Sequence, residues 1–377
     1  MRKRPLILIV DDNPEALDIF EARLATLDYA IITAPDGETG LAMARREKPD
    51  LILLDIMMPI MDGLTVCRQL KSDPALPFIP IILVTAKSDT KDVVAGLEAG
   101  GDEYLTKPVE HAALVARVGS MLRIKGLHDK VLKQSAQLRI QLEAATKVQC
   151  LFWPEIPKME AGSHVWAISV PAAYVGGDLY DVIKLPDGSW LLYVADASGK
   201  GVPAALIMAA LSTKIRSEVT LRPNLEDLIE TVNNVMYYLM TGESFFATII
   251  LGRYWPSTGR MQLVHCGHLQ PLWITNEGFK ELPELKGISL GLKPDTRYET
   301  KEISITPGES LLFFSDGVVE AENESQELYG PDRLRDYIKS SNSPPLGEGL
   351  LKEIKNWRGK AKANDDLTLL EIWRDPQ

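Results

Sequence analysis

Short apolar runs that leave no polar face are the feature that most constrains this chain. Leu51-Ile52-Leu53-Leu54 and Ile81-Ile82-Leu83-Val84 are apolar at every position. A strand with two apolar faces must be covered on both, as in a parallel sheet between helix layers. Related runs fall at 6–10, 29–34, 51–55, 79–86 and 103–106, and helical patterns separate them at 14–27, 38–46, 64–70, 91–99 and 110–123. Five such units in about 120 residues predict one α/β domain with a doubly wound parallel sheet over 5–124.

The rhythm then changes. Residues 109–150 carry no strand pattern and no proline, and predict one long helix that Trp153-Pro154-Glu155-Ile156-Pro157 ends. Ile124, Val131, Leu138 and Ala145 recur every seven residues, with Leu127 and Val148 on the neighbouring seam and Gln134 and Gln141 interrupting it. Residues 125–158 are therefore expected to form a helical linker, read either as a solvated helix or as a weak parallel coiled coil that makes a homodimer.

From 159 to 377 strand patterns and helical patterns come in blocks. Runs at 166–170 and 182–185 look like a hairpin pair, followed by 190–195. Helices are expected at 204–219 and 225–240, strands at 245–254, 261–265, 271–275, 301–305 and 311–315, helices at 331–339 and 346–357, and a last strand at 367–373. Blocks of this kind predict an α+β domain, a β-sandwich flanked by helices. Only 340–349 looks low in complexity.

Composition bounds the function. With 41 Lys+Arg against 52 Asp+Glu the net charge is −11, which argues against wholesale binding to nucleic acid. Cys67, Cys150 and Cys266 lie too far apart for a disulfide framework or a zinc knuckle and suit a reducing compartment. His265-Cys266-Gly267-His268 has no partner pair and reads as a structural turn. The apolar run after Arg2-Lys3-Arg4 stops at Asp11-Asp12, too short for a secretory signal, and no stretch reaches the length of a membrane span. A soluble cytoplasmic protein is expected.

In an open parallel sheet ligands bind beyond the carboxyl ends of the strands. Asp11, Asp12, Asp55, Thr85 and Lys107 stand at those ends. Three converging carboxylates repel one another unless a cation such as Mg²⁺ sits among them. A carboxylate can also accept a phosphoryl group, with the metal, Lys107 and Thr85 meeting its oxygens. Asp11-Asp12, Asp55-Ile56-Met57-Met58-Pro59 with Asp62-Gly63, Thr85-Ala86 and Lys107-Pro108 resemble the response-regulator receiver domain of the CheY type, a flavodoxin-like fold. The resemblance implies Asp55 as phospho-acceptor, with Asp11, Asp12 and Asp55 around Mg²⁺. It also implies Thr85 and Tyr104 as switch residues and a sensor histidine kinase as partner.

Four acidic turns mark the last domain: Gly176-Gly177-Asp178, Asp196-Ala197-Ser198-Gly199-Lys200-Gly201, Ser315-Asp316-Gly317 and Asn364-Asp365-Asp366. Singly, each is an ordinary turn. Together they predict a carboxylate cluster best explained by two divalent cations and metal-activated water. The motifs GGDLYD, DASGKGVPAAL, SDGVVEA and NDDLTLL resemble the metal-dependent PPM-type Ser/Thr protein phosphatases, in their SpoIIE/RsbU-like bacterial branch. VQCLFWPEIP and CGHLQPL look like the same branch. The resemblance implies two Mn²⁺ or Mg²⁺ ions bridged by Asp196 and held by the Ala197 carbonyl, Asp178, Asp316 and Asp365, with Asp366 as the alternative to Asp365. Ser198 stands where eukaryotic members place a His proposed as general acid.

The resulting expectation is a two-component response regulator whose receiver controls a metal-dependent phosphoserine/phosphothreonine protein phosphatase. By resemblance its target is a phosphorylated STAS-type anti-sigma factor antagonist. The alternative is a catalytically silent phosphatase-fold adaptor that binds a partner under receiver control. A DNA-binding output ranks last, because no recognition helix follows residue 124.

Overall fold

The computed structural model describes residues 2–86, 90–341 and 344–376, with 90–93 as backbone only, so 342–343 of the low-complexity stretch lie outside the described residues. The chain divides into two units, Met1–Arg139 and Ile140–Gln377.

The first unit runs β1 (Leu6–Val10), α1 (Pro14–Ala25), β2 (Ala30–Ala34), α2 (Gly37–Glu47), β3 (Leu51–Asp55), α3 (Gly63–Lys71), β4 (Ile81–Thr85), α4 (Thr90–Glu98), β5 (Glu103–Thr106) and the start of α5 (His111–Gln149). Its sheet is wholly parallel, in the order β2-β1-β3-β4-β5. The period of two explains the continuous apolar runs. Leu8, Val10, Ile52, Leu54, Ile81 and Leu83 face one core, with α2 and α3. Ile7, Ile9, Leu51, Leu53, Ile82 and Val84 face the other, with α1 and the first turns of α5. Caps set the helix starts: Asn13, Asp36 and Asp62 each accept a backbone N–H from the first turn of α1, α2 and α3.

α5 is one helix of 39 residues. Its first turns bury Leu114, Val118, Met121 and Leu122, whereas Ile124, Leu127, Val131, Leu138 and Val148 are exposed. It ends at Gln149, followed by a 3₁₀ turn over Cys150–Phe152 before Pro154.

The second unit continues with β6 (Ser163–Val170), β7 (Asp178–Lys184), β8 (Trp190–Ala197), α6 (Val202–Glu218), α7 (Leu225–Met240), β9 (Ala247–Trp255), β10 (Arg260–Cys266), β11 (Leu272–Thr275), β12 (Gly278–Lys280), β13 (Thr300–Ser304), β14 (Ser310–Phe314), α8 (Gly330–Ser340), α9 (Leu346–Arg358) and β15 (Leu367–Arg374). Two five-stranded sheets, β13-β10-β9-β8-β7 and β12-β11-β14-β15-β6, are antiparallel throughout. Their facing sides share one core, including Tyr180, Leu192, Val194, Ile250, Leu263, Phe313 and Leu370. α6 and α7 cover the outer face of the first sheet, and α8 and α9 cover that of the second.

One expectation fails here. β6 and β7 are not a hairpin: β6 pairs with β15 over eight residues, and β7 pairs with β8. Residues 171–177 carry the chain from one sheet to the other, so neighbours in sequence face each other across the core. β12 was not anticipated; it is three residues long and carries almost no pattern.

Candidate active sites

In the first unit, Asp11 follows β1, Asp55 closes β3, Thr85 closes β4, and Lys107 follows β5. The sheet order places these strand ends side by side. Carboxylate oxygens of Asp11, Asp12 and Asp55 lie within 4.8 Å of one another, the one such group of three among the described residues. Asp11 and Asp55 are 1% and 4% exposed, and Asp12 is exposed to solvent. Lys107 Nζ lies 2.7 Å from Asp11 Oδ2 and 3.0 Å from Asp55 Oδ1, so one ammonium bridges two buried carboxylates. Burial pushes the Asp55 carboxyl above its ordinary value, and the Lys107 contact offsets part of that. Burial works against the Lys107 charge, but hydrogen bonds to Asp11 and Asp55 outweigh it and leave the ammonium firmly protonated. Gly63 is required here: a Cβ on it would stand 2.1 Å from the Asp55 carbonyl oxygen. Thr85 is buried, and Tyr104 is half-buried with the Arg117 guanidinium over its ring at 5.5 Å.

The second acidic group is built by antiparallel pairing. Asp178 opens β7 and Asp196 sits near the end of β8, directly opposite in register. β14 runs into Asp316, and Asp365-Asp366 lead into β15, its hydrogen-bonded neighbour. Each sheet thus delivers acidic residues to the same edge of the sandwich. Burial, then the Asp196 charge, pushes Asp178 well above the carboxylate range. Asp196 is raised to about 7 by burial first, then by Asp316 and Asp365. Burial, then Asp365 and Glu320, raises Asp316.

These residues fit divalent cations. Asp178 Oδ2 is buried with no hydrogen-bond partner, a costly state for a carboxylate. A Cβ on Gly177 would stand 3.2 Å from the Ala197 carbonyl oxygen and 3.6 Å from Asp196 Oδ1, so that glycine leaves open the space both oxygens face.

The neighbouring Asp365 and Asp366 differ in their hydrogen bonds. Asp366 Oδ1 accepts from Ala172 N at 2.7 Å and Oδ2 from Gly177 N at 2.5 Å, so its carboxylate holds the 171–177 crossover. Gly176 and Gly317 permit this: a Cβ on the first would stand 2.6 Å from Asp366 Oδ2, and on the second 1.9 Å from the Asp366 carbonyl oxygen. Asp365 Oδ2 instead meets Lys200 Nζ at 2.8 Å. The Ser198 hydroxyl accepts from Phe246 N at 2.9 Å, which engages it in the loop's own bonding. The expected turn at His265-Cys266-Gly267-His268 is only half a turn, because His265 and Cys266 end β10 and pair with Ile250 and Ile249; His268 Nδ1 meets Thr248 Oγ1 at 2.8 Å, and burial, then His265, drops its pKa to about 4.

Gln149 had no assigned role in the sequence. The last residue of α5, it is buried, donates from Nε2 to the Gly176 carbonyl at 2.6 Å and accepts from Gly176 N at 3.0 Å. Thr146 donates to the Tyr174 carbonyl nearby. The end of α5 is thereby fixed to the loop that carries Asp178. Only the VQCLFWPEIP motif hinted at it; nothing in helical periodicity marks an inward Gln.

Comparison with known proteins agrees with this architecture. Residues 7–119 match the response regulator receiver domain, and residues 186–375, half of the chain, match Stage II sporulation protein E (SpoIIE). Response regulator PleD of Caulobacter vibrioides is 47% identical over 133 residues, 35% of this chain and 29% of PleD. The chain thus spans less than a third of that relative's length. The structure of the RsbU and RsbW domains of Rv1364c from Mycobacterium tuberculosis is similar at 25% identity and a TM-score of 0.50, covering 60% of this chain and 62% of that one. The SiaA-PP2C domain of Pseudomonas aeruginosa shares the fold at 19% identity and a TM-score of 0.55, covering 64% of this chain and 99% of the domain. A receiver sheet with its acidic pocket, followed by a two-sheet sandwich with acidic residues at one edge, makes this chain a receiver-bearing member of the SpoIIE family.

Proposed function

We propose that the chain is a response regulator whose receiver controls a metal-dependent phosphoserine/phosphothreonine protein phosphatase. The observation that carries the reading is the facing pair Asp178 and Asp196. Both are raised in pKa, one oxygen has no donor, and no lysine or arginine is paired with either among the described residues. Asp178, Asp196, Asp316, Asp365 and the Ala197 carbonyl would hold two Mn²⁺ or Mg²⁺ ions. Such ions supply an activated water and neutralise phosphoryl oxygens. Asp366 keeps the crossover loop in place and is not a ligand in this reading. The buried Gly176-Gly177 backbone, pinned by Asp366 and Gln149, keeps Asp178 opposite Asp196.

In the receiver, Asp55 takes the phosphoryl group from a sensor histidine kinase, and Asp11, Asp12 and Asp55 would hold Mg²⁺. Lys107 neutralises the transferring oxygens, and Thr85 and Tyr104 reorient afterwards. The exposed seam of Ile124, Val131 and Leu138 on α5 supports control through pairing of this helix in a homodimer, in the direction of activation. Similarity to an RsbU domain supports a phosphorylated STAS-type anti-sigma factor antagonist as the target.

The test is turnover of p-nitrophenyl phosphate by the full chain, with Mn²⁺ or EDTA, and with or without acetyl phosphate. Turnover requires Mn²⁺, responds to acetyl phosphate, and falls by about 10³-fold in Asp196→Ala. A fully active Asp196→Ala protein removes this reading, and an inactive wild type turns it into the adaptor.

A further inference from the structure

The loop after β8 sets one cation on the rim of the acidic edge. Lys200 stands between Gly199 (φ 91°) and Gly201 (φ 73°), two left-handed positions that residues with a Cβ avoid. So bent, the loop directs the lysine toward the chain that enters β15. Its Nζ lies 2.8 Å from Asp365 Oδ2 and 2.5 Å from the Asn364 carbonyl oxygen.

Asp365 has little else to offer. Its Oδ1 accepts from Asp366 N at 2.9 Å, which leaves Oδ2 as the oxygen shared between Lys200 and any incoming cation. The pair is also easily broken, because the Lys200 side chain is 63% exposed and solvent screens it. An ammonium on a flexible stem can swing away without disturbing the fold. Displaced from Asp365, it remains at the mouth of the acidic edge, its ammonium no longer in direct contact with a carboxylate oxygen, where a phosphoryl dianion would arrive.

We propose that Lys200 is the resident counter-cation of Asp365, yields that carboxylate to a divalent cation, and then binds the phosphoryl oxygens of the substrate. The inference rests on the phosphatase reading above and names the residue that recognises the phosphate. A purely structural bridge between two loops would behave in the opposite way, because its removal would loosen Asp365 and weaken metal binding.

Calorimetric titration of Mn²⁺ into the full chain separates the two. Wild type and Lys200→Met are compared in an Asp11→Asn/Asp12→Asn background, so that the receiver pocket contributes no heat. Lys200→Met should bind Mn²⁺ about 3- to 5-fold more tightly. Its KM for p-nitrophenyl phosphate should rise about 10-fold with kcat within about twofold, and Lys200→Arg should recover most of the KM. Equal or weaker Mn²⁺ binding in Lys200→Met overturns the displacement, and an unchanged KM overturns phosphoryl binding. A wild type without Mn²⁺-dependent turnover is a failure of the phosphatase reading and takes phosphoryl binding with it. The calorimetry still decides the displacement.

Discussion

The two acidic pockets solve the same electrostatic problem in opposite ways. In the receiver, Lys107 reaches between Asp11 and Asp55 and pairs with both. In the second unit the lysine stays on the rim with Asp365, and buried Asp178 faces the half-buried Asp196. The first pocket can wait without metal. In the second, burial and neighbouring carboxylates push both Asp178 and Asp196 upward in pKa, with no lysine or arginine paired to either among the described residues. A site that must be loaded and discharged by a phosphoryl group gains from an internal counter-charge.

Breaking the contrast at its strongest point means removing the internal lysine. Lys107→Met should slow labelling of Asp55 by acetyl phosphate about 10²-fold, read by intact mass, because the transferring oxygens lose their ammonium. Asp55→Asn serves as the unlabelled control. Labelling of Lys107→Met at the wild-type rate would show that the bridge is architectural only.

Neutralising the second pocket should stabilise it. Asp196 keeps its proton to about pH 7 in the fold but releases it near 3.8 when unfolded. The folded state therefore binds the extra proton across that window, and its stability falls as pH rises through it. In metal-free buffer at pH 8, Asp196→Asn should gain on the order of 2 kcal/mol, a few degrees in melting temperature, and the gain should vanish at pH 4. A loss of stability at pH 8 would mean that the facing carboxylates are not in conflict.

The smallest expected effect sharpens the contrast from the other side. Asp12 is exposed, so Asp12→Asn should change metal-free stability by no more than about 0.5 kcal/mol, measured by urea unfolding. A gain as large as that of Asp196→Asn would erase the distinction between the pockets.

The receiver was nearly all legible in the sequence, because runs such as Leu51–Asp55 are buried on both faces and turn chemistry follows each strand. The sandwich was legible as elements but not as pairings. β6 has the same alternation whether it pairs with β7 or β15, and only the packing of two sheets decides. β7 also begins earlier than its apolar stretch, at Asp178, since a buried carboxylate reads as a turn until its partner strand is known. The different bonding of Asp365 and Asp366 was closed to sequence for a similar reason. Asp366 receives the backbone N–H groups of Ala172 and Gly177, nearly 200 residues upstream.

The pairing of Gln149 with Gly176 has a consequence for what the end of α5 is. A primary amide carries the same donor and acceptor as a peptide group, so Gln149 imitates one rung of a ladder beside the crossover loop. Glu offers only the acceptor and Lys only the donor, so neither can replace it. The Gly176 amide proton is then shielded from exchange by a helix side chain rather than by a neighbouring strand. Its exchange with solvent becomes a gauge of whether the last turn of that helix is seated, readable without substrate, metal or phosphate.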